Sequence, residues 1–292
     1  MTSTAVATEA ERRRTTGILG AMAAEFAGTL ILILFGNGVV AQVSSATDGS
    51  LGDHDSIAWA WGLGVTLGVY VAGRRSGAHL NPAVTLSLAV FEGFAWKKVA
   101  PYVLAQTAGA FVAALLVRWN YDTTLSLVDP GHTIKTQGVF STLPGNGTYP
   151  ISDLGALRDQ IIGTAILLFV IMALSDVRNS PPLANIAPLL VGLLVVAIGM
   201  AWGTNAGYAI NPARDFGPRL ASFVTGYGTA WRDQYGNLYF WVPIVGPLIG
   251  GVLGAGAYKA LIGRFLPADP DVDPTAEPET EGPGTVPDER TV

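Results

Sequence analysis

Two stretches of this chain carry the same arrangement of hydrogen-bonding groups. They are Ser76-Gly77-Ala78-His79-Leu80-Asn81-Pro82-Ala83-Val84-Thr85 and Ala206-Gly207-Tyr208-Ala209-Ile210-Asn211-Pro212-Ala213-Arg214-Asp215. Asparagine is a favoured helix N-cap and proline a favoured first helical residue, so helices start at Asn81-Pro82-Ala83 and at Asn211-Pro212-Ala213. The residues upstream of each are glycine-relaxed and read as extended. A helix start offers unpaired amide donors and roughly half a positive charge to whatever stands before it. Hydrogen bonding and electrostatics are therefore the available chemistry. The sequence holds no nucleophile with a neighbouring base, no phosphate loop and no metal-spaced cluster, so neither an enzyme nor a cofactor or metal is expected.

Composition says where these groups sit. With 50% hydrophobic and 13% charged residues, and apolar runs near residues 18–43 and 183–202, the chain reads as a polytopic membrane protein. Its formal charge of -5 comes from residues 267–292, which are net -7 and leave +2 for the rest. That balance gives no reason to expect a nucleic-acid partner. Rich in Pro, Glu, Thr and Gly, the tail is expected to be disordered, and residues 1–16 to form a short segment outside the bilayer. The absence of cysteine excludes disulfides, thiolate metal sites and lipidated cysteines.

Six stretches read as membrane spans, the first two each near the ~20 residues needed to cross ~30 Å of hydrocarbon. They are 17–43, 57–73, 99–117, 160–174, 182–202 and 239–262. The helices after Asn81 and Asn211 are too short to span, at ~18 Å for the first by helical rise. Residues 118–157 form a long polar stretch read as a vestibule loop. Eleven Lys and Arg fall on the side of the termini (Arg12, Arg13, Arg14, Arg74, Arg75, Lys97, Lys98, Arg178, Lys259, Arg264, Arg290). Five fall on the other (Arg118, Lys135, Arg158, Arg219, Arg232). Both termini are therefore expected in the cytoplasm, and the protein in the plasma (inner) membrane of the cell.

The halves repeat. Ala24-Glu25-Phe26-Ala27-Gly28-Thr29-Leu30-Ile31-Leu32 resembles Asp159-Gln160-Ile161-Ile162-Gly163-Thr164-Ala165-Ile166-Leu167. Three spans per half is an odd number, which makes residues 17–118 and 155–266 inverted repeats of one domain, 17–266. The expected fold is all-α, with six transmembrane helices and two re-entrant half-helices. Entering from opposite faces, the half-helices place Asn81 and Asn211 together near mid-membrane. Bare backbone at that depth is tolerated only where it lines a water-filled passage, which implies a pore. For one motif alone, a loop turn before an ordinary helix is the competing reading.

At these residues the chain resembles the major intrinsic proteins, the aquaporins and glycerol facilitators, and within them the glycerol-conducting branch. The resemblance implies a selectivity filter of Trp61, Gly199, Tyr208 and Arg214. It also implies a homotetramer with one pore per protomer, glycerol and water as permeants, and braces at Glu25 and Gln160. Asp215 and Arg219 fit the glycerol-type pattern. Gly199 removes bulk where water-selective members place a histidine, and Trp61 with Tyr208 offers an apolar wedge. Arg214 donates to hydroxyl oxygens, while the carbonyls of Gly77, Ala78, His79, Gly207, Tyr208 and Ala209 accept from hydroxyl groups. Arg214 could instead be a snorkelling interfacial arginine. Tyr208 in place of Phe, and Gln160 in place of a second buried Glu, depart from the family pattern. A water-selective channel and a coupled secondary transporter are the alternative functions. His79 is expected to be a hydrogen-bonded loop histidine, whereas His54 and His132 carry no signal of a role. Asn146-Gly147-Thr148 matches a glycosylation sequon.

Overall fold

The computed structural model describes residues 17–46 and 48–268. The expected segment 1–16 and the tail from Asp269 onward lie outside the described residues, as does the part of the charge count that falls there. The described chain is helical, with only an isolated bridge between Arg232 and Leu238.

The helices in chain order are α1 Ile18–Ser45, α2 His54–Ser76, α3 Pro82–Phe91, α4 Val99–Asn120, α5 Asp122–Val128, α6 Ile134–Gln137, α7 Asp153–Ser175, α8 Ala187–Ala206, α9 Pro212–Val224 and α10 Val242–Leu261. Among the described residues, six helices (α1, α2, α4, α7, α8 and α10) are long and apolar enough to cross a membrane. Shorter α3 and α9 begin at the two Asn-Pro-Ala motifs.

Two features differ from the sequence reading. The fourth span begins at Asp153, seven residues before the expected Gln160, because the Ser152 side chain accepts from the Gly155 amide and starts the helix there. Asp159, within this added length, is buried and receives a hydrogen bond from Asn205 Nδ2 at 3.3 Å. The polar stretch 118–157 also contains two short helices, α5 and α6. Asp129 organises the turn between them, accepting from the Thr133 amide at 2.7 Å and from the Thr136 hydroxyl at 2.9 Å.

Where helices cross, glycines let backbones touch. A Cβ on Gly68 would stand 2.6 Å from the Gly28 carbonyl oxygen on α1. One on Gly250 or Gly254 would collide with the carbonyls of Ile161 or Ala165 on α7. Gly254→Val therefore has to push α10 off α7, at an overpacking cost of about 1–3 kcal/mol or more. We expect a lowered melting temperature of the detergent-solubilised protein, read by tryptophan fluorescence.

On the side where α7 ends, Asp176 forms a clasp. Arg178 donates to both its carboxylate oxygens, from Nε at 3.0 Å and Nη2 at 2.8 Å, and the Tyr258 hydroxyl on α10 adds a bond at 3.1 Å. The Arg178 hydrogen bonds outweigh burial and hold the Asp176 carboxyl at about 2, below its ordinary 3.8. A depressed carboxyl keeps its contribution above its ordinary value and loses it as pH falls through the folded one. The melting difference between wild type and Asp176→Asn should thus stay constant from about pH 5 to 8 and shrink below about pH 4.

Candidate functional site

The two stretches before α3 and α9 are not extended. Gly77, Ala78 and Leu80 have φ of 86°, 48° and 51°, and Gly207, Tyr208 and Ile210 have φ of 64°, 37° and 44°. Glycine takes the left-handed position at the C-terminal caps of α2 and α8 without strain. Ala, Leu, Tyr and Ile do not, and each such residue costs roughly 1–2 kcal/mol. Strain repeated symmetrically at two loops needs something that holds it.

The holders are Glu25 and Gln160. Glu25 on α1 is fully buried and accepts from the amides of His79 at 3.0 Å and Leu80 at 2.7 Å. Gln106 Nε2 at 2.8 Å and the Ser76 hydroxyl complete its partners. Gln160 on α7, equally buried, accepts from the Ile210 amide at 2.8 Å and donates to the Ala206 carbonyl at 2.8 Å. The Glu25 carboxylate takes several donors, whereas the Gln160 carboxamide accepts from one amide and donates to one carbonyl, so the second loop is held by an exchange rather than a charge.

Each Asn-Pro-Ala caps its own helix and ties to the other. Asn81 Oδ1 accepts from the Ala83 amide at 2.8 Å, and Asn211 Oδ1 from the amides of Ala213 at 3.0 Å and Arg214 at 3.2 Å. Their amide nitrogens cross over. Asn81 Nδ2 donates to the Ile210 carbonyl and Asn211 Nδ2 to the Leu80 carbonyl, both at 2.8 Å. α3 and α9 thus meet N-terminus to N-terminus.

Beside this junction lies an internal cavity of about 130 Å³. Trp61, Tyr208, Arg214, Asn81 and Asn211 line it, with Ala78, His79 and Ala209 from the loops and an aliphatic wall that includes Val65, Leu167, Ile171 and Val195. The Arg214 guanidinium lies 3.9 Å from the centroid of the Trp61 ring, and both side chains are buried. Gly77 and Gly207 stand just outside the lining. Gly199 stands behind it: a Cβ there would be 3.0 Å from Tyr208 Cζ and 3.1 Å from Ala58 Cβ, so the tyrosine ring fills the space a side chain would need. Asp215 faces away from the cavity. It accepts from the Thr142 amide at 2.8 Å and from Arg219 Nε at 2.8 Å, in a fully buried pair whose remaining donors reach the carbonyls of Ala230 and Thr142. This pair pins the loop before α7 to α9.

The imidazole of His79 lies with Nδ1 3.1 Å from Thr85 Oγ1 and packs against Phe94 and Tyr102. Asn146 of the sequon directs Nδ2 to the Gly203 carbonyl at 3.0 Å. His54, which carried no signal of a role in the sequence, is the first residue of α2, with Nε2 2.9 Å from the Gly199 carbonyl. Gln106 and Thr142 also escaped the sequence reading. Their one signal was a polar side chain in or beside an apolar run.

Residues 12–258 match the major intrinsic protein family. The chain is 43% identical over 262 residues to the glycerol uptake facilitator protein of Escherichia coli strain K12, covering 88% of this chain and 92% of that protein. It is 42% identical over 245 residues to aquaglyceroporin-2 of Rhizophagus irregularis, covering 82% of this chain and 76% of that one. Against aquaporin-10 of Milnesium tardigradum the identity is 43% over 258 residues, 84% of this chain but only 63% of that longer protein. The X-ray structure of the aquaglyceroporin from Plasmodium falciparum superposes with a TM-score of 0.75 at 34% identity, over 84% of this chain and 97% of the other. Six membrane-crossing helices, two half-helices joined at paired Asn-Pro-Ala motifs and a family match over most of the chain lead to one conclusion: this chain is a member of the major intrinsic protein family.

Proposed function

We propose that this protein is a passive channel for glycerol and similar small uncharged solutes, which also passes water and excludes ions and protons. The observation that carries this reading is the two-sided cavity. Trp61 and Tyr208 give the lining apolar aromatic surface for a carbon backbone, while Arg214, and the second N–H of Asn81 and of Asn211 beyond their crossed bonds, are donors for hydroxyl oxygens. A polyol is desolvated cheaply on one face and hydrogen-bonded on the other. The loop carbonyls of Gly77, Ala78, His79, Gly207, Tyr208 and Ala209 supply the acceptors, and Glu25 and Gln160 hold those loops. The fixed charge of Arg214 and the two positive helix ends repel cations. The protein works as a homotetramer in the plasma membrane with both termini in the cytoplasm.

Gly199 argues against a water-only filter. With no side chain there, the Tyr208 ring rests against α8; a Cβ would drive the ring toward the cavity. Gly199→Ala is therefore expected to reduce glycerol permeability severalfold and water permeability less, in vesicles monitored by light scattering. A coupled transporter needs titratable or ion-coordinating groups at the junction, where this chain carries the neutral Asn81 and Asn211. The test is a glycerol gradient: vesicles carrying the protein shrink and then re-swell, at a rate indifferent to sodium or proton gradients. Accumulation against a gradient would remove the passive reading.

A further inference from the structure

The geometry of the narrow region extends to a residue outside the cavity lining. α8 departs from helical dihedrals at Trp202, with φ -122° and ψ 16°. The next amide, that of Gly203, is the one that closes on the Gly199 carbonyl in an unbroken helix, and this departure turns it. His54 Nε2 stands 2.9 Å from the same carbonyl. The imidazole sits in the notch that Gly203 leaves, where a Cβ would run into His54 Cε1. The same ring meets the Tyr208 ring edge-on, with centroids 6.4 Å apart and planes at 85°. Tyr208 in turn lies over Gly199, and its hydroxyl is buried without a hydrogen-bond partner among the described residues. One imidazole thus touches the backbone of one filter position and the aromatic ring of another.

We infer that His54 is a positioning residue for solute selection: by donating to the Gly199 carbonyl and backing the Tyr208 ring, it sets the width open to a polyol. It touches no solute itself. The neutral ring must carry its proton on Nε2 to donate to a carbonyl, and the protonated ring donates from the same atom. A glutamine of similar reach can supply the same donor, and an alanine cannot. This inference rests on the reading of Trp61, Gly199, Tyr208 and Arg214 as the filter.

The test compares wild type, His54→Ala, His54→Gln and Gly203→Ala in vesicles of one lipid composition, at matched protein density, by stopped-flow water and glycerol permeability. The readout is the ratio of glycerol to water permeability, which a loss of folded protein alone does not change. His54→Ala should change that ratio by roughly threefold to tenfold, the equivalent of one hydrogen bond's net worth. His54→Gln should restore it, and Gly203→Ala, which expels the ring, should reproduce the alanine result. A wild-type ratio in His54→Ala would overturn the role of His54, as would a fall in both permeabilities by the same factor in both His54 variants. Wild-type vesicles that pass water and no glycerol would instead overturn the filter reading on which it rests.

Discussion

In reconstituted vesicles the Glu25→Leu protein is expected to conduct neither water nor glycerol and to melt well below wild type. Glu25 is the acceptor for the His79 and Leu80 amides and for Gln106 Nε2, all in a dry interior. Leucine leaves the two backbone amides without partners, at about 1–3 kcal/mol for each, and leaves Gln106 Nε2 with the Thr85 hydroxyl alone. It also releases a loop in which Ala78 and Leu80 are held at positive φ. Once that loop relaxes, the Leu80 carbonyl no longer receives Asn211 Nδ2, so the junction of the two half-helices opens with it. Glu25→Gln should fall between the two, because a carboxamide has one acceptor oxygen where the carboxylate offers two. Wild-type flux and melting in Glu25→Leu would mean that the loop holds itself.

The second large effect concerns charge. Arg214→Val removes a buried guanidinium that lines the cavity and stacks on Trp61. A unit charge about 4 Å from a passing cation contributes on the order of 4 kcal/mol at an effective dielectric of 20. Its loss should raise proton or cation leakage by roughly two to three orders of magnitude, less whatever the two helix ends still contribute. Dye-reported proton entry under an imposed potential reads this directly. Glycerol should still pass, with poorer discrimination, because the guanidinium also narrows the opening beside Trp61. An unchanged proton conductance would put the barrier elsewhere, at the helix ends themselves.

How much of this was legible beforehand depends on the range of the interaction. The Asn-Pro-Ala motifs were readable because capping is local: Asn81 and Asn211 each bond an amide two residues on. The repeat of Glu25 by Gln160 pointed to paired loop holders. What sequence could not give was the form of the loops. The glycines suggested extension, and the chain instead takes left-handed turns at Ala78, Leu80, Tyr208 and Ile210. That conformation is imposed by partners 50 to 55 residues away, through Glu25 and Gln160. Gly199 was legible as missing bulk, but not that Tyr208 would rest in the vacated space. His54 was invisible for the same reason, since its contact lies 145 residues distant. The Ser152 start of α7 could have been read, because a serine cap is local.

The central claim is that the cavity between Trp61, Tyr208 and Arg214 selects small uncharged polyols. Its most direct measurement is a stopped-flow comparison of water, glycerol and urea on one preparation of vesicles carrying the wild-type protein. The account predicts fast shrinkage followed by re-swelling in glycerol, at a rate well above that of protein-free vesicles. Fast shrinkage in glycerol with no re-swelling would contradict it and make this a water-selective pore.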